Sequence, residues 1–207
     1  RSSLERANES RREMEAVNVK LLKQSETDQM TGLANRYRLN AYSEKVLDYC
    51  YEHRLPLAME ILDIDFFKQY NDNYGHQQGD ECIIAIANEL KKMEDGQTFC
   101  ARYGGDEFII IYAGISAEEV HAKAGALRQN IMNLKLEHLY SKALPIVTIS
   151  QGISYGVPEE GNRSWDFLHT ADMLLYQVKK RSRNDICIAD IRGQELDLSS
   201  KQEKVEP

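Results

Sequence analysis

Two short acidic clusters carry the residue types from which a phosphoryl- or nucleotidyl-transfer site can be built. Asp63-Ile64-Asp65 closes an apolar run that starts at Leu57, and Gly104-Gly105-Asp106-Glu107 separates two β-rich runs, Phe99–Tyr103 and Phe108–Tyr112. Carboxylate oxygens are the ligands that hard divalent cations prefer. A cation held there neutralises phosphate charge and lowers the cost of forming an alkoxide nucleophile. Alternate residues of a strand share a face, so Asp63 and Asp65 point the same way if the strand continues through them. The glycine pair permits positive φ and lets a phosphate or another backbone approach with no Cβ in the way. Taken singly, each cluster reads as ordinary strand-end or turn acids. Together they say more: if the hairpin pairs beside the Leu57–Ile64 strand, Asp63 and Asp106 converge at one sheet edge.

Several elements must exist to hold these acids in place. Leu57–Ile64 reads as a buried strand, and the two runs around Gly104-Gly105 as a hairpin. Asp80 to about Lys92 has apolar residues at helical spacing, as do Ala117 to about Leu136 and Trp165–Arg181. Pro145–Tyr155 and Ile186–Ala189 read as further strands. A hairpin and single strands interleaved with helices imply a mixed sheet with helices packed on it, an α/β (α+β) sandwich. Periodicity does not choose its topology. Before this unit, Ser2–Glu26 is charged and free of Pro and Gly, with Leu4, Ala7, Met14 and Leu21 on a weak heptad stripe completed by Arg11 and Asn18. It reads either as a short coiled coil or as a solvated helix. Three segments are therefore expected: a helical linker over 1–27, a globular domain over 28–190, and a polar, flexible tail over 191–207.

The bulk numbers exclude some functions. With 207 residues, 42% of them hydrophobic, the chain can bury one ordinary core plus an appendage. A formal charge of -7 argues against broad electrostatic binding to nucleic acid or acidic lipid. A phosphorylated ligand would need local cations or metal. The four cysteines, Cys50, Cys82, Cys100 and Cys187, show no paired spacing and lie in apolar segments, which fits buried reduced thiols and a cytoplasmic setting. No apolar run is long enough to span a bilayer, and no signal-peptide pattern opens the chain. The start at Arg1, inside a helical pattern, is that expected of a piece of a longer protein.

Four motifs in order resemble the GGDEF family of diguanylate cyclases over about residues 28–190. Arg102-Tyr103-Gly104-Gly105-Asp106-Glu107-Phe108 carries the signature itself. Asp28-Gln29-Met30-Thr31-Gly32-Leu33-Ala34-Asn35-Arg36 is similar to the family's opening motif, with Met30 where Leu is usual. Asp63-Ile64-Asp65-Phe66-Phe67-Lys68, Asn71-Asp72, Gly75-His76 and Gly79-Asp80 match the central motif, and Ala171-Asp172, Leu175-Tyr176, Lys179 and Arg183-Asn184 the last one.

The resemblance implies a palm-like, mostly antiparallel central sheet flanked by helices, as in nucleotide cyclases. It implies that Asp63, Asp106 and the Ile64 carbonyl hold two Mg²⁺ (or Mn²⁺) ions per active site. Glu107 would act as a second-metal ligand or accept the 3′-hydroxyl proton. Asn71 and Asp80 would read guanine, which offers the N1–H and N2–H donor pair that adenine lacks. Hybrid cyclases that make cyclic GMP-AMP carry a smaller polar residue in place of this acid, so Asp80 points to GTP alone. Gly104 and Gly105 would lie against the substrate, and Phe66, Phe67 and Lys68 would wrap its phosphates. Lys179 and Arg183, at i, i+4 on one helical face, would clamp the outer phosphates. The implied reaction joins two GTP molecules into cyclic di-GMP across a twofold homodimer, with the Ser2–Glu26 helix adjusting the approach of the two sites. Asp65, Asp72 and His76 are read as structural.

Two departures stand out. Many relatives carry an Arg-x-x-Asp product-inhibition site whose position here is Asp95-Gly96-Gln97-Thr98, with neither the Arg nor the Asp. Feedback through that site is therefore expected to be absent. Ser182 stands where Gly is usual before Arg183-Asn184. From another class, the main alternative is a GTP-binding regulatory module without turnover, against which the intact Asp63, Asp106 and Glu107 count.

Overall fold

The apolar run after Pro56 forms strand β1 (Leu57–Ile64), buried at every position, in a computed structural model that describes residues 3–198. A strand so uniformly buried needs cover on both faces and neighbours on both edges. The hairpin of β2 (Thr98–Gly104) and β3 (Glu107–Ala113) forms as expected, and β3 pairs antiparallel with one edge of β1. On the other edge lies β4 (Ile149–Gly156), also antiparallel, followed by β5 (Ile186–Asp190) in parallel to β4. The order β2-β3-β1-β4-β5 makes a mostly antiparallel open sheet.

Strand alternation sorts the core into two layers. Leu57, Met59 and Ile61 pack with Ile109 and Ile111 against Leu39, Val46 and Leu47 of α2 (Arg36–His53) and Phe167, Ala171 and Leu175 of α6 (Ser164–Arg181). Ala58, Leu62 and Ile64 face the opposite way, toward α3 (Phe67–Tyr74), α4 (His76–Met93) and α5 (Ala117–Asn133). The result is a sheet between two helical layers. Gly152 lets α6 come close, because a Cβ there would lie 2.2 Å from the Ala171 carbonyl oxygen.

Several boundaries differ from the sequence-based expectation. Helix α2 is absent from that reading, although Leu39, Val46, Leu47 and Cys50 have helical spacing, and Asn35 caps it by accepting from the Arg38 N–H. The helix expected from Asp80 starts at His76, behind Gly75 with φ 87°. Helix α5 stops at Asn133 because Lys135 turns left-handed at φ 51°. The strand expected from Pro145 starts only at Ile149, since the preceding residues pair back on the loop, His138 N–H donating to the Pro145 carbonyl. The segment read as a tail folds back: Leu196 N–H donates to the Ile188 carbonyl, and Leu196 and Leu198 pack on the core. Residues 1–2 and 199–207, which the linker and tail readings include, lie outside the described residues.

Helix α1 (Ser3–Glu26) precedes the sheet and leaves Met14, Val17 and Leu21 more than half exposed. All four cysteines are buried and free. Among the described residues no helix is long and apolar enough to cross a membrane.

Candidate active site

The register of β1 on β3 sets Asp63 opposite Glu107. The hairpin turn between them, with Gly105 at φ 50°, carries Asp106 over the end of β1. The Asp63 and Asp106 carboxyls come within hydrogen-bonding reach of each other, so the two acidic clusters do converge at one sheet edge. From α6, the Lys179 ammonium pairs with Asp63. Burial, then the neighbouring Asp106 carboxyl, push Asp63 up from 3.8 to about 7 against the pull of Lys179. Glu107 is also raised: burial is the main cause, Lys179 opposes it, and Asp106 and Asp172 add to it. Beside Glu107 a groove opens between the sheet and α6, lined by Tyr103, Trp165, His169 and Asp172 among others.

Asp65 does not share this face. Strand β1 ends at Ile64, and the chain turns through Asp65 and Phe66, the latter left-handed at φ 55°. Fully buried, the Asp65 carboxylate accepts from the Thr148 hydroxyl at 2.8 Å, the Ser150 hydroxyl at 2.6 Å and the Asn184 N–H at 2.9 Å. Arg183 lies 3.6 Å away. Its work is to tie β1 to β4 and to the end of α6, as its structural reading required.

Arg183 is not on the helical face with Lys179. Helix α6 ends at Arg181; the Ser182 and Arg183 N–H groups both return to the Val178 carbonyl, and Arg183 and Asn184 take φ of 54° and 44°. Ser182 itself has φ -133°, so the usual glycine is not needed there. The Arg183 guanidinium lies over the Phe66 ring, 4.2 Å from its centre. Phe67 is buried in the core, whereas Lys68 is exposed at the first turn of α3. That turn has no side-chain cap, so its backbone N–H groups are available to an anion.

Across the α3–α4 hairpin, Asn71 lies against Gly79, the residue before Asp80. A Cβ on Gly79 would sit 1.8 Å from the Asn71 Oδ1, so only glycine leaves Asn71 where it is. This oxygen is buried and has no hydrogen-bond donor among the described residues. Asp80 is exposed at the same place.

The comparisons with known proteins cover the part of the chain that holds this site. The family model for the diguanylate cyclase GGDEF domain matches residues 25–185. The chain belongs to the GGDEF family. It is 35% identical over 163 residues to a probable diguanylate cyclase, DgcC, of Escherichia coli, covering 77% of this chain and 42% of that one. With the diguanylate cyclase DgcP of Pseudomonas aeruginosa it shares 33% over 190 residues, covering 90% and 28%. It thus spans less than half the length of these relatives. A crystal structure of the coiled coil and GGDEF domain of DgcB from Caulobacter crescentus, in complex with c-di-GMP, superposes with a TM-score of 0.80 at 28% identity. That superposition covers 91% of this chain and 100% of that one.

Within the GGDEF motif one residue without an assigned role proves central. The Arg102 guanidinium donates to the Gly105 carbonyl at 2.9 and 3.2 Å and pairs with Asp28 at 3.2 Å, bracing the turn that carries Asp106. Burial raises Asp28, but hydrogen bonds from Thr31 and the Arg102 charge outweigh it and hold Asp28 low. Both residues stand in the quoted motifs; only their spacing of 74 positions hides the pairing.

The acids also fit a divalent cation. Among the described residues no three His, Cys, Asp or Glu side chains form a ready metal cage. Magnesium, however, binds through one or two carboxylates plus substrate phosphates. Two crowded carboxyls, one of them driven toward its neutral form and paired with a lysine ammonium, are a donor set whose repulsion a cation would relieve.

Proposed function

We propose that this GGDEF domain is a diguanylate cyclase that joins two GTP molecules into cyclic di-GMP and releases two pyrophosphates. The observation that carries the reading is the convergence of Asp63 and Asp106 at the Gly104-Gly105 turn, in a chain whose family-model match covers β1 to β4. Two divalent cations, Mg²⁺ or Mn²⁺, held by Asp63, Asp106, the Ile64 carbonyl and Glu107, would neutralise phosphate charge and favour the alkoxide form of the attacking hydroxyl. The uncapped first turn of α3, with Phe66, Phe67 and Lys68, would hold the outer phosphates through backbone N–H groups and the lysine ammonium. Lys179 would hand Asp63 over to the cation and move to a phosphate oxygen. Arg183 acts through the Phe66 ring and Asp65, so its contribution is to hold the turn. Asp80 accepts from the guanine N1–H and N2–H groups, and the unpartnered Asn71 oxygen offers a further acceptor.

One domain binds one GTP, so the second reactant must come from a second copy. Each 3′-oxygen attacks the α-phosphorus held by the partner, forms a phosphodiester and expels pyrophosphate. The exposed Met14, Val17 and Leu21 on α1, a helix of the kind named with the GGDEF domain of DgcB, give two copies an apolar stripe to pair on. At the position of the Arg-x-x-Asp site stands Asp95-Gly96-Gln97-Thr98, with Asp95 paired to Lys123 at 2.9 Å, which supports a cyclase without product feedback through that site.

The test is incubation of the purified chain with GTP and Mg²⁺, analysed by chromatography and mass spectrometry, with Asp106→Ala in parallel. Cyclic di-GMP from the wild type alone, at a rate per chain that rises with protein concentration, is the expected result. GTP binding without product at every concentration would make the chain a regulatory module instead.

A further inference from the structure

The turn that follows β1 is gripped from a side the catalytic motifs do not include. The 134–148 loop between α5 and β4 folds back on itself, Val147 N–H donating to Leu136 at 2.8 Å and His138 N–H to Pro145 at 3.0 Å. It buries the His138 imidazole completely. The imidazole Nε2 lies 3.0 Å from the Phe66 carbonyl oxygen, 72 residues away in sequence. A carbonyl only accepts, so Nε2 carries the proton and donates. Nδ1 is then a bare lone pair, and it has no partner among the described residues. Burial lowers the His138 pKa, against the opposing pull of the Phe66 carbonyl, which keeps the ring in this neutral form. Tyr70 meets the ring edge-on at 5.1 Å, and the Tyr74 hydroxyl accepts from the Leu139 N–H at 3.0 Å, so α3 fixes both the ring and its loop.

Phe66 needs such a grip. A non-glycine residue at φ 55° is costly, and it lies at the head of the uncapped turn of α3. Arg183 holds its ring from the α6 side, and His138 holds its carbonyl from the loop side. We infer that His138 is a positioning residue for the reaction: by anchoring the Phe66 carbonyl it keeps the backbone N–H groups of Phe66–Lys68 aimed at the triphosphate. This rests on the cyclase reading of the site, because it assigns those N–H groups to phosphate. His138 lies outside all four quoted motifs.

The experiment compares wild type, His138→Ala and His138→Gln in steady-state GTP turnover with Mg²⁺, with inhibition by inorganic pyrophosphate and preference for GTP over ATP as further readouts. Glutamine is chosen because its Nε2 can reach the same carbonyl. For His138→Ala we expect KM for GTP and Ki for pyrophosphate to rise together by about tenfold, the effect of one lost hydrogen bond. Preference for GTP over ATP should stay unchanged, and His138→Gln should restore most of both constants. If the alanine variant is too unstable to assay, Tyr74→Phe, which frees the loop more gently, should raise the same two constants by a smaller factor. A wild-type KM and Ki in folded His138→Ala or Tyr74→Phe would overturn the inference, as would a fall in kcat alone. Failure of the wild type to turn over GTP would instead sink the cyclase reading, so the two are separable.

Discussion

Asp63 and Asp65 stand two residues apart on one chain and live in opposite surroundings. Asp65 is fully buried, yet two hydroxyls, a backbone N–H and a nearby guanidinium surround its carboxylate. Asp63 is almost as buried, with one lysine partner and another carboxyl beside it, and is pushed up to about 7. A buried carboxylate saturated with donors belongs to the architecture, whereas one left crowded and short of donors is a candidate cation ligand, as the cyclase proposal makes it. On β1 itself, Glu60 is an intermediate case. It is completely buried and accepts from Tyr112 and Gln151 at 2.7 Å each, two neutral donors.

The sharpest way to break this contrast is to remove one member of each set. Asp106→Asn should lower GTP turnover by at least about a thousandfold, since a metal site supplies several kcal/mol of transition-state stabilisation. In metal-free buffer the same variant should melt at or above the wild-type temperature, because one of two repelling acids is gone. Asp65→Ala should do the reverse: its orphaned donors and the unpaired Arg183 should cost about 4 kcal/mol in urea unfolding. Equal destabilisation by both variants would erase the distinction.

Glu60 sharpens the contrast through pH. Burial raises its pKa from 4.5 to about 7, although the bonds from Gln151 and Tyr112 work against the rise. The folded state therefore holds the proton more tightly than the unfolded chain does. Its contribution to stability is present below about pH 4.5 and is lost as pH rises toward 7, by on the order of 3 kcal/mol in all. Glu60→Gln keeps the shape and removes the charge, so its urea midpoint should change less than that of the wild type between pH 5 and pH 8. Parallel pH profiles would show that Glu60 does not titrate in that window.

The smallest expected effect concerns Gly79. In Gly79→Ala the new methyl would displace only the end of the Asn71 side chain, so the fold should survive while KM for GTP rises by about tenfold. An unchanged KM would remove Asn71 from the substrate site.

These residues differ in how far the sequence reveals them. The meeting of Asp63 and Asp106 is legible, because it needs only a strand, a hairpin and their pairing. Glu60 is visible as a charge inside an apolar run, but its partners Tyr112 and Gln151 come from strands 52 and 91 positions away. The surroundings of Asp65 depend on where β1 stops and on Thr148, Ser150 and Asn184, none of them spaced by any local period. Arg183 misleads for a local reason: helical spacing from Lys179 is apparent, but the chain leaves the helix at Arg181 and two left-handed residues redirect the guanidinium onto Phe66. His138 and the Arg102–Asp28 brace are tertiary contacts of ordinary residue types, so only the folded chain displays them.

The most direct test of the central claim is Mn²⁺ binding, followed by electron paramagnetic resonance, to the chain saturated with a non-hydrolysable GTP analogue. The wild type should bind Mn²⁺ tightly, Asp106→Ala should lose that binding, and the His138→Gln variant should keep it. Undiminished binding in Asp106→Ala would contradict the claim, since the crowded acids would then not be the seat of the metal.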